Sequence, residues 1–159
     1  MKDFITQNNI QFFIYALIIA SYIVGSMALF RMAKLAQIND AWPAWVPIGN
    51  YYVIGMLLQG NFTIVGHRID SPEKVLPMSV IAGLVASQVP IIKIPVGIAV
   101  VILLTYTTYH LLKKYKGQYV IALTALCTVV PIAYSFILFA IRNNNPIDAS
   151  YGRGEENLE

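Results

Sequence analysis

An uncharged stretch in the first half of the chain, residues 41–60, mixes apolar residues with polar and helix-breaking ones. Within it, Pro47 removes a backbone donor and Gly49 loosens the chain. A helix that began with this stretch would place Asn50 roughly 14 Å deep, near the middle of a bilayer. We therefore expect Pro47, Asn50 and Tyr51 to belong to a site that binds a lipid or small molecule. The alternative is that Asn50 only bonds to a neighbouring helix, which contributes about 1 kcal/mol.

A second polar cluster lies near the end of a later apolar segment. Tyr106 precedes His110 by one helical turn, and histidine titrates near neutral pH, which suits proton handling or headgroup binding. We expect both residues to lie near the ligand site, although a histidine this close to the membrane interface needs no function. The basic cluster Lys113, Lys114 and Lys116 follows. It is expected to bind anionic lipid headgroups if it faces the cytoplasm, or only to set the topology.

The sequence lacks the residue patterns of enzymes and of metal sites. It contains no H-E-x-x-H, no G-x-S-x-G and no phosphate-binding glycine loop. Cys127 is the single cysteine, so a disulfide within the chain is impossible. His67, Asp70 and Glu73 lack the spacing of metal ligands. We therefore expect a protein without catalysis, metal or cofactor.

The composition predicts a membrane protein. Of 159 residues, 57% are hydrophobic and only 12% are charged, which is about half the charged share of soluble domains. The charges fall between long uncharged stretches, as in membrane-spanning helices. Because the basic residues are scattered at segment ends, the net charge of +3 does not indicate nucleic-acid binding. The predicted fold is an all-α integral membrane bundle of five hydrophobic segments: Gln11–Phe30, Ala41–Gly60, Val75–Val89, Ile94–Leu112 and Tyr119–Ile141.

The number of crossings depends on the second segment. Residues 1–146 are expected to form one transmembrane domain, and residues 147–159 a polar tail. If all five segments cross, the 11 basic residues divide five against six between the two sides, which decides nothing. If segment 41–60 re-enters instead, they divide seven against four. We expect five crossings, because this segment has full length and Asp40 is placed to cap its start. The alternative is four crossings and one re-entrant segment.

Small residues on the first segment offer a surface for another helix. Ala16, Ala20, Ser21 and Gly25 recur at spacings near four, which allows close helix packing. Two functions are therefore considered. The first is the handling or transport of a lipid or small molecule at the mid-membrane site. The second is an accessory or immunity-type subunit that binds a larger membrane protein or a second copy of itself. Membrane lipids are partners in both.

One short motif recurs in altered form. Val46-Pro-Ile-Gly49 matches Ile94-Pro-Val-Gly97, and an apolar segment follows each. Broken segments in corresponding positions are typical of transporters built from repeats. A match this short also arises by chance in an apolar chain.

Three stretches carry a resemblance to known sequences. In Met27–Ile38 and Trp42–Tyr52, a tryptophan, an Ile/Val-Pro pair, an asparagine and a tyrosine precede a hydrophobic span. The stretch Phe139–Pro146 closes the hydrophobic part of the chain. Together these stretches resemble a group of uncharacterised small membrane proteins of Gram-positive bacteria, over about a third of the chain.

The resemblance implies a multi-pass protein of the bacterial cytoplasmic membrane and brings no activity with it. It marks Trp45, Pro47 and Asn50 as the positions to test. Asn144 departs from the acidic residue that the resemblance leads us to expect.

Overall fold

The computed structural model describes most of the hydrophobic chain. The described residues are 2–58, 63–64, 67–69 and 71–146. For 2–9, 63–64 and 67–68 the description is limited to the backbone. Asp70, the His67 side chain and the predicted tail 147–159 lie outside the described residues.

Within these residues the fold is all-α, as predicted, apart from a two-residue antiparallel ladder in which Thr63 pairs with Arg68. The elements in chain order are α1 (Lys2–Leu35), a 3₁₀ helix (Trp42–Trp45), α2 (Gly49–Leu57), β1 (Thr63–Ile64), β2 (His67–Arg68), α3 (Pro72–Ala86), α4 (Lys93–Tyr115), α5 (Val120–Val129) and α6 (Pro131–Ile141).

Two helices of the described chain are long and apolar enough to cross a membrane, namely Ile10–Leu35 and Lys93–Tyr115. The predicted segments Gln11–Phe30 and Ile94–Leu112 lie within them. The third helix, α3, has 15 residues, so it is about 22 Å long and covers most of the predicted segment Val75–Val89.

The second predicted segment, Ala41–Gly60, is not one continuous helix. A 3₁₀ helix and a turn precede α2, which has nine residues and is about 13 Å long, too short to cross alone. The predicted cap is also wrong: Ala41 holds the N-cap position, without a side-chain hydrogen bond. The chain folds back sharply here and brings Gly49 against the 3₁₀ helix. A Cβ on Gly49 would lie 2.9 Å from the carbonyl carbon of Pro43. Only glycine allows this approach.

The last predicted segment, Tyr119–Ile141, is a helical hairpin. Thr105 on α4 contacts Thr128 on α5, so α5 runs back along α4. After the break at Pro131, α6 returns, because Asn144 Nδ2 donates to the Tyr115 carbonyl oxygen at 3.1 Å. In one straight helix the two ends of this segment would stand about 30 Å apart. Both ends therefore lie beside the C-terminal end of α4, which we call the Tyr115 end; the opposite end is the Lys93 end.

The 3₁₀ helix and α2 also leave the Tyr115 end and return to it. Lys114 Nζ donates to the carbonyl oxygen of Leu57 at 2.8 Å, which places the last turn of α2 at the Tyr115 end. The start of α2 lies farther from the Tyr115 end, because Tyr51 lines the same cavity as Thr105 of α4. We call the 3₁₀ helix with α2 the first hairpin, and α5 with α6 the second hairpin.

The long helix α1 runs parallel to α6 toward the Tyr115 end. Gly25 packs on Ser135, and a Cβ on that glycine would lie 2.9 Å from the Ser135 hydroxyl. From this contact onward both helices are buried in one core, which contains Met32 and Ile141. Gly25 is therefore used inside the chain, whereas Ala16 and Ala20 are exposed.

The core is concentrated at the Tyr115 end, where the three long helices and both hairpins meet. Its fully buried large side chains include Leu57, Leu111, Leu112, Leu138 and Ile141. Toward the Lys93 end the hairpins are absent and the three longer helices are largely exposed. The hairpin tips therefore lie partway along the bundle, and α1, α3 and α4 continue beyond them toward the Lys93 end.

Candidate functional site

A cavity of about 280 Å³ lies at the tip of the second hairpin, between α2, α4, α5 and α6. Its wall combines hydroxyl-bearing and apolar side chains: Tyr51, Ile54, Val101, Leu104, Thr105, Thr107, Thr108, Cys127, Thr128, Pro131 and Tyr134. None of these is charged. The volume is at the lower end of small-molecule sites, and it suits the head and first carbons of a lipid-soluble molecule.

One stripe of α4 provides the largest share of the wall. Val101, Leu104, Thr105 and Thr108 follow the spacing i, i+3, i+4, i+7, which places them on one helix face. The second hairpin closes the opposite side with residues 127–134. Because α5 ends at Val129 and α6 begins at Pro131, the helix break itself opens the space between them.

Threonine hydroxyls in the wall bond to carbonyl groups of their own helices. Thr107 donates to Leu103 O at 2.7 Å and Thr108 donates to Leu104 O at 2.8 Å. This back-bonding is the usual way in which a threonine satisfies its hydroxyl within a helix. The hydroxyl groups are therefore held in fixed positions by the backbone.

Hydroxyl groups join each hairpin to one of the long helices. Tyr22 of α1 donates to Trp45 O at 2.6 Å, at the tip of the first hairpin. Thr105 of α4 and Thr128 of the second hairpin have their hydroxyl oxygens 3.3 Å apart. Each long helix therefore holds the hairpin that follows it in the chain.

The tripeptide Val-Pro-Ile occurs at both hairpin tips, as Val46–Ile48 and as Val130–Ile132. Proline suits each tip because it has no amide proton to satisfy at the helix break. The two matched stretches, Val46–Gly49 and Ile94–Gly97, both lie at the start of a helix but in different surroundings. Gly97 lies inside α4 in open space, whereas Gly49 is pressed against a 3₁₀ helix. The tripeptide Val-Pro-Ile instead marks the break in each hairpin that follows a long helix.

The cavity reaches the surface of the protein midway along α4. Val101 is 54% exposed, and Thr128 and Pro131 are also exposed. A ligand could therefore enter from the side of the bundle without passing through either end.

Tyr51 is the one predicted ligand residue that lies in the cavity wall. Pro47 lies in the exposed turn of the first hairpin, and Asn50 is half-buried in the first turn of α2. The buried Oδ1 atom of Asn50 has no hydrogen-bond partner among the residues that the structure describes. Neither residue contributes to the cavity wall.

Tyr106 and His110 form a cluster on the opposite face of α4. Their rings lie with centroids 4.6 Å apart and tilted at 57° to each other, and Tyr109 meets His110 edge-on at 5.5 Å. At 100° per residue this pair points about 160° away from the cavity stripe. The structure therefore separates the histidine cluster from the cavity.

The predicted lipid-headgroup lysines have different environments. Lys113 and Lys116 are exposed at the end of α4. Lys114 is partly buried and donates to Leu57 O, where it satisfies a terminal carbonyl of α2. Its ammonium group is thus held against the first hairpin, whereas the two exposed lysines extend outward.

The threonines of the cavity were not predicted as site residues. Their signal in the sequence is the run Thr105–Thr108 together with the i, i+4 pair Thr124 and Thr128. Both patterns fall within apolar segments, where a repeated hydroxyl on one helix face indicates a polar contact. The reversal of the chain between α4 and α5 brings the two runs together.

Comparisons with known proteins add no relative. No family model, no curated protein and no solved structure matches the chain.

Proposed function

We propose that this chain is a multi-pass protein of the bacterial cytoplasmic membrane with five hydrophobic segments, three that cross and two that re-enter. The crossing segments are α1, α4 and α3. Because α3 is only about 22 Å long, local thinning of the bilayer and snorkelling of flanking residues complete its crossing. The hairpin helices are between about 13 and 17 Å long, so they reach about halfway through a 30 Å hydrocarbon layer. Both hairpins enter from the Tyr115 end.

The distribution of basic residues supports this topology. Ten of the 11 lysines and arginines lie in the described chain; the other is Arg153. At the Lys93 end are Lys2 and Lys93. The remaining eight are at the Tyr115 end: Arg31, Lys34, Arg68, Lys74, Lys113, Lys114, Lys116 and Arg142. The positive-inside rule therefore puts the Tyr115 end in the cytoplasm.

Exposed apolar side chains support a lipid environment. Every side chain from Ile10 to Ala20 is exposed, on all faces of α1. Phe12 is 75% exposed and Ile91 is 89% exposed. A helix that is apolar all round requires burial in protein or in lipid. In the described chain, the Lys93 end has too few neighbouring helices to bury this part of α1 in protein.

The backbone at the tip of the first hairpin suits burial in a membrane, because three hydrogen bonds engage its polar groups. At the first tip, Val46 N donates to Pro43 O and Asn50 N donates to Val46 O, each at 2.9 Å. Tyr22 satisfies the Trp45 carbonyl. Irregular backbone inside a membrane is tolerated only with such partners.

Within this membrane protein, the cavity binds an uncharged small molecule or lipid that enters from the bilayer. The observation that carries this proposal is the uncharged, hydroxyl-lined cavity that opens sideways at mid-depth. A charged ligand would be poorly accommodated, because no wall residue is charged and burying an unpaired charge is costly. Membrane lipids surround the protein and are also the first candidate ligands.

Native mass spectrometry of the protein purified in mild detergent tests this proposal. Leu104→Trp fills the cavity from α4, and Ala99→Trp adds the same bulk on the exposed opposite face of that helix. We expect wild type and Ala99→Trp to retain a bound small molecule that Leu104→Trp loses. Equal retention by both variants would show that the molecule binds elsewhere.

A further inference from the structure

We infer that the cavity selects alcohols, that is, uncharged molecules with an apolar tail and a hydroxyl group that donates a hydrogen bond. This inference rests on the proposed function and specifies its ligand. It follows from the assignment of the threonine protons in the wall.

A threonine hydroxyl has one proton, so it can donate one hydrogen bond. Thr128 donates to Thr124 O at 2.9 Å, which uses its proton. In the 3.3 Å contact between Thr105 and Thr128, the donor is therefore Thr105. The direction of this contact is fixed by the neighbouring bond.

The same count applies to the other threonines of the wall. Thr107 and Thr108 each donate to a carbonyl oxygen four residues earlier. All four threonines of the wall have thus committed their protons. What they still offer to the cavity is the lone pairs of their oxygen atoms, which accept hydrogen bonds.

A ligand must therefore supply a proton to bond with these threonines. Tyr51 and Tyr134 carry hydroxyl groups that can donate or accept, so they do not discriminate between an alcohol and an ether. Carboxylates and ammonium groups are disfavoured because the wall offers no charge to pair with them. An uncharged alcohol with an alkyl tail fits each of these conditions, and its tail can extend through the opening beside Val101.

Photo-crosslinking in liposomes tests the inference. The probe is a ten-carbon alcohol with a diazirine on its chain, and mass spectrometry maps the adducts. Decanol and methyl decyl ether compete with it, at matched concentrations in the membrane. We expect decanol to suppress adducts in residues 101–108 and 127–134 at about fivefold lower concentration, the effect of one net hydrogen bond.

Valine substitutions assign the preference to particular hydroxyls. Thr108→Val and Thr128→Val each remove an acceptor from the wall and should reduce the preference for decanol. Thr124→Val is the matched control, because Thr124 makes the same kind of bond, to Val120 O, outside the wall. It should leave the preference unchanged.

The outcomes separate the inference from the proposed function. Equal competition by the ether and the alcohol on wild type would overturn the inference while cavity binding stands. An unchanged preference in both valine variants would also overturn it. Adducts that map to lipid-facing positions of α1 rather than to the cavity would refute the proposed function itself.

Discussion

Gly55→Ala should destabilise the protein by forcing α2 away from α3. In the structure, a Cβ at Gly55 would lie 2.6 Å from the carbonyl carbon of Pro72, and closer still to Glu73 Cα. These are backbone atoms, which cannot rotate aside, and ordinary carbon contacts begin near 3.4 Å. A single methyl group therefore requires the two helices to separate by about 1 Å.

The cost can be separated from helix propensity with a second glycine. Gly97 lies in α4, and a Cβ added there would meet no atom within 4 Å. Gly97→Ala therefore gains helix propensity of up to about 1 kcal/mol without a clash. Gly55→Ala gains the same propensity but adds overpacking, which costs about 1–3 kcal/mol. The difference between the two variants should therefore be about 1–3 kcal/mol.

The assay is the free energy of unfolding in mixed detergent micelles, followed by circular dichroism. Gly97→Ala should equal or slightly exceed wild type in stability, and Gly55→Ala should fall below both. If Gly55→Ala proved as stable as Gly97→Ala, α2 and α3 would not touch at Gly55. The placement of the first hairpin against α3 would then be wrong.

Two further substitutions test how the first hairpin is held, by the same unfolding measurement. Tyr22→Phe removes the hydrogen bond to Trp45 O and should cost about 1 kcal/mol; wild-type stability would show that this bond contributes nothing. Lys114→Met removes the bond to Leu57 O and should cost about 1–2 kcal/mol, since the donor is charged and only partly buried. The exposed neighbour Lys113 serves as the control, because Lys113→Met should change stability by less than about 0.5 kcal/mol. Equal effects of the two lysine substitutions would contradict the capping role.

The all-α class and the positions of the long helices were predictable from the sequence. The predicted segment Ile94–Leu112 lies within Lys93–Tyr115, because apolar residues bounded by charges determine where a helix can cross. Pro131 lies inside the predicted segment Tyr119–Ile141 and breaks it. Whether the chain bends or reverses at a proline depends on what the next helix packs against, and α6 packs on α1, far away in sequence.

The same limit explains the undecided charge count. With residues 41–60 and 119–141 both taken as crossings, the basic residues divide five against six, and the positive-inside rule gives no answer. The bond from Asn144 to Tyr115 O places Arg142 and the three lysines of residues 113–116 at one end. An ionised aspartate at position 144 could not donate this bond, so the contact with Tyr115 O requires the amide.

The site was less predictable than the fold. The sequence favours Asn50 because a straight helix from residue 41 would place it near the middle of the membrane. The turn at Val46–Ile48 interrupts that helix, so this depth does not apply. Of the predicted ligand residues, Tyr51 is the one that reaches the cavity. Thr105 and Thr128 are 23 residues apart, and no local pattern in the sequence pairs them.

Side-specific labelling of single cysteines tests the hairpin topology most directly. In a Cys127→Ser background, cysteines replace Gln88, Gln118 and Asn145, all of which are exposed or half-buried at the ends of the helices. A membrane-impermeant maleimide should label positions 118 and 145 from the same side, and position 88 from the other. Labelling of position 145 together with position 88 would mean that residues 120–141 cross the membrane, and the hairpin and its cavity would be contradicted.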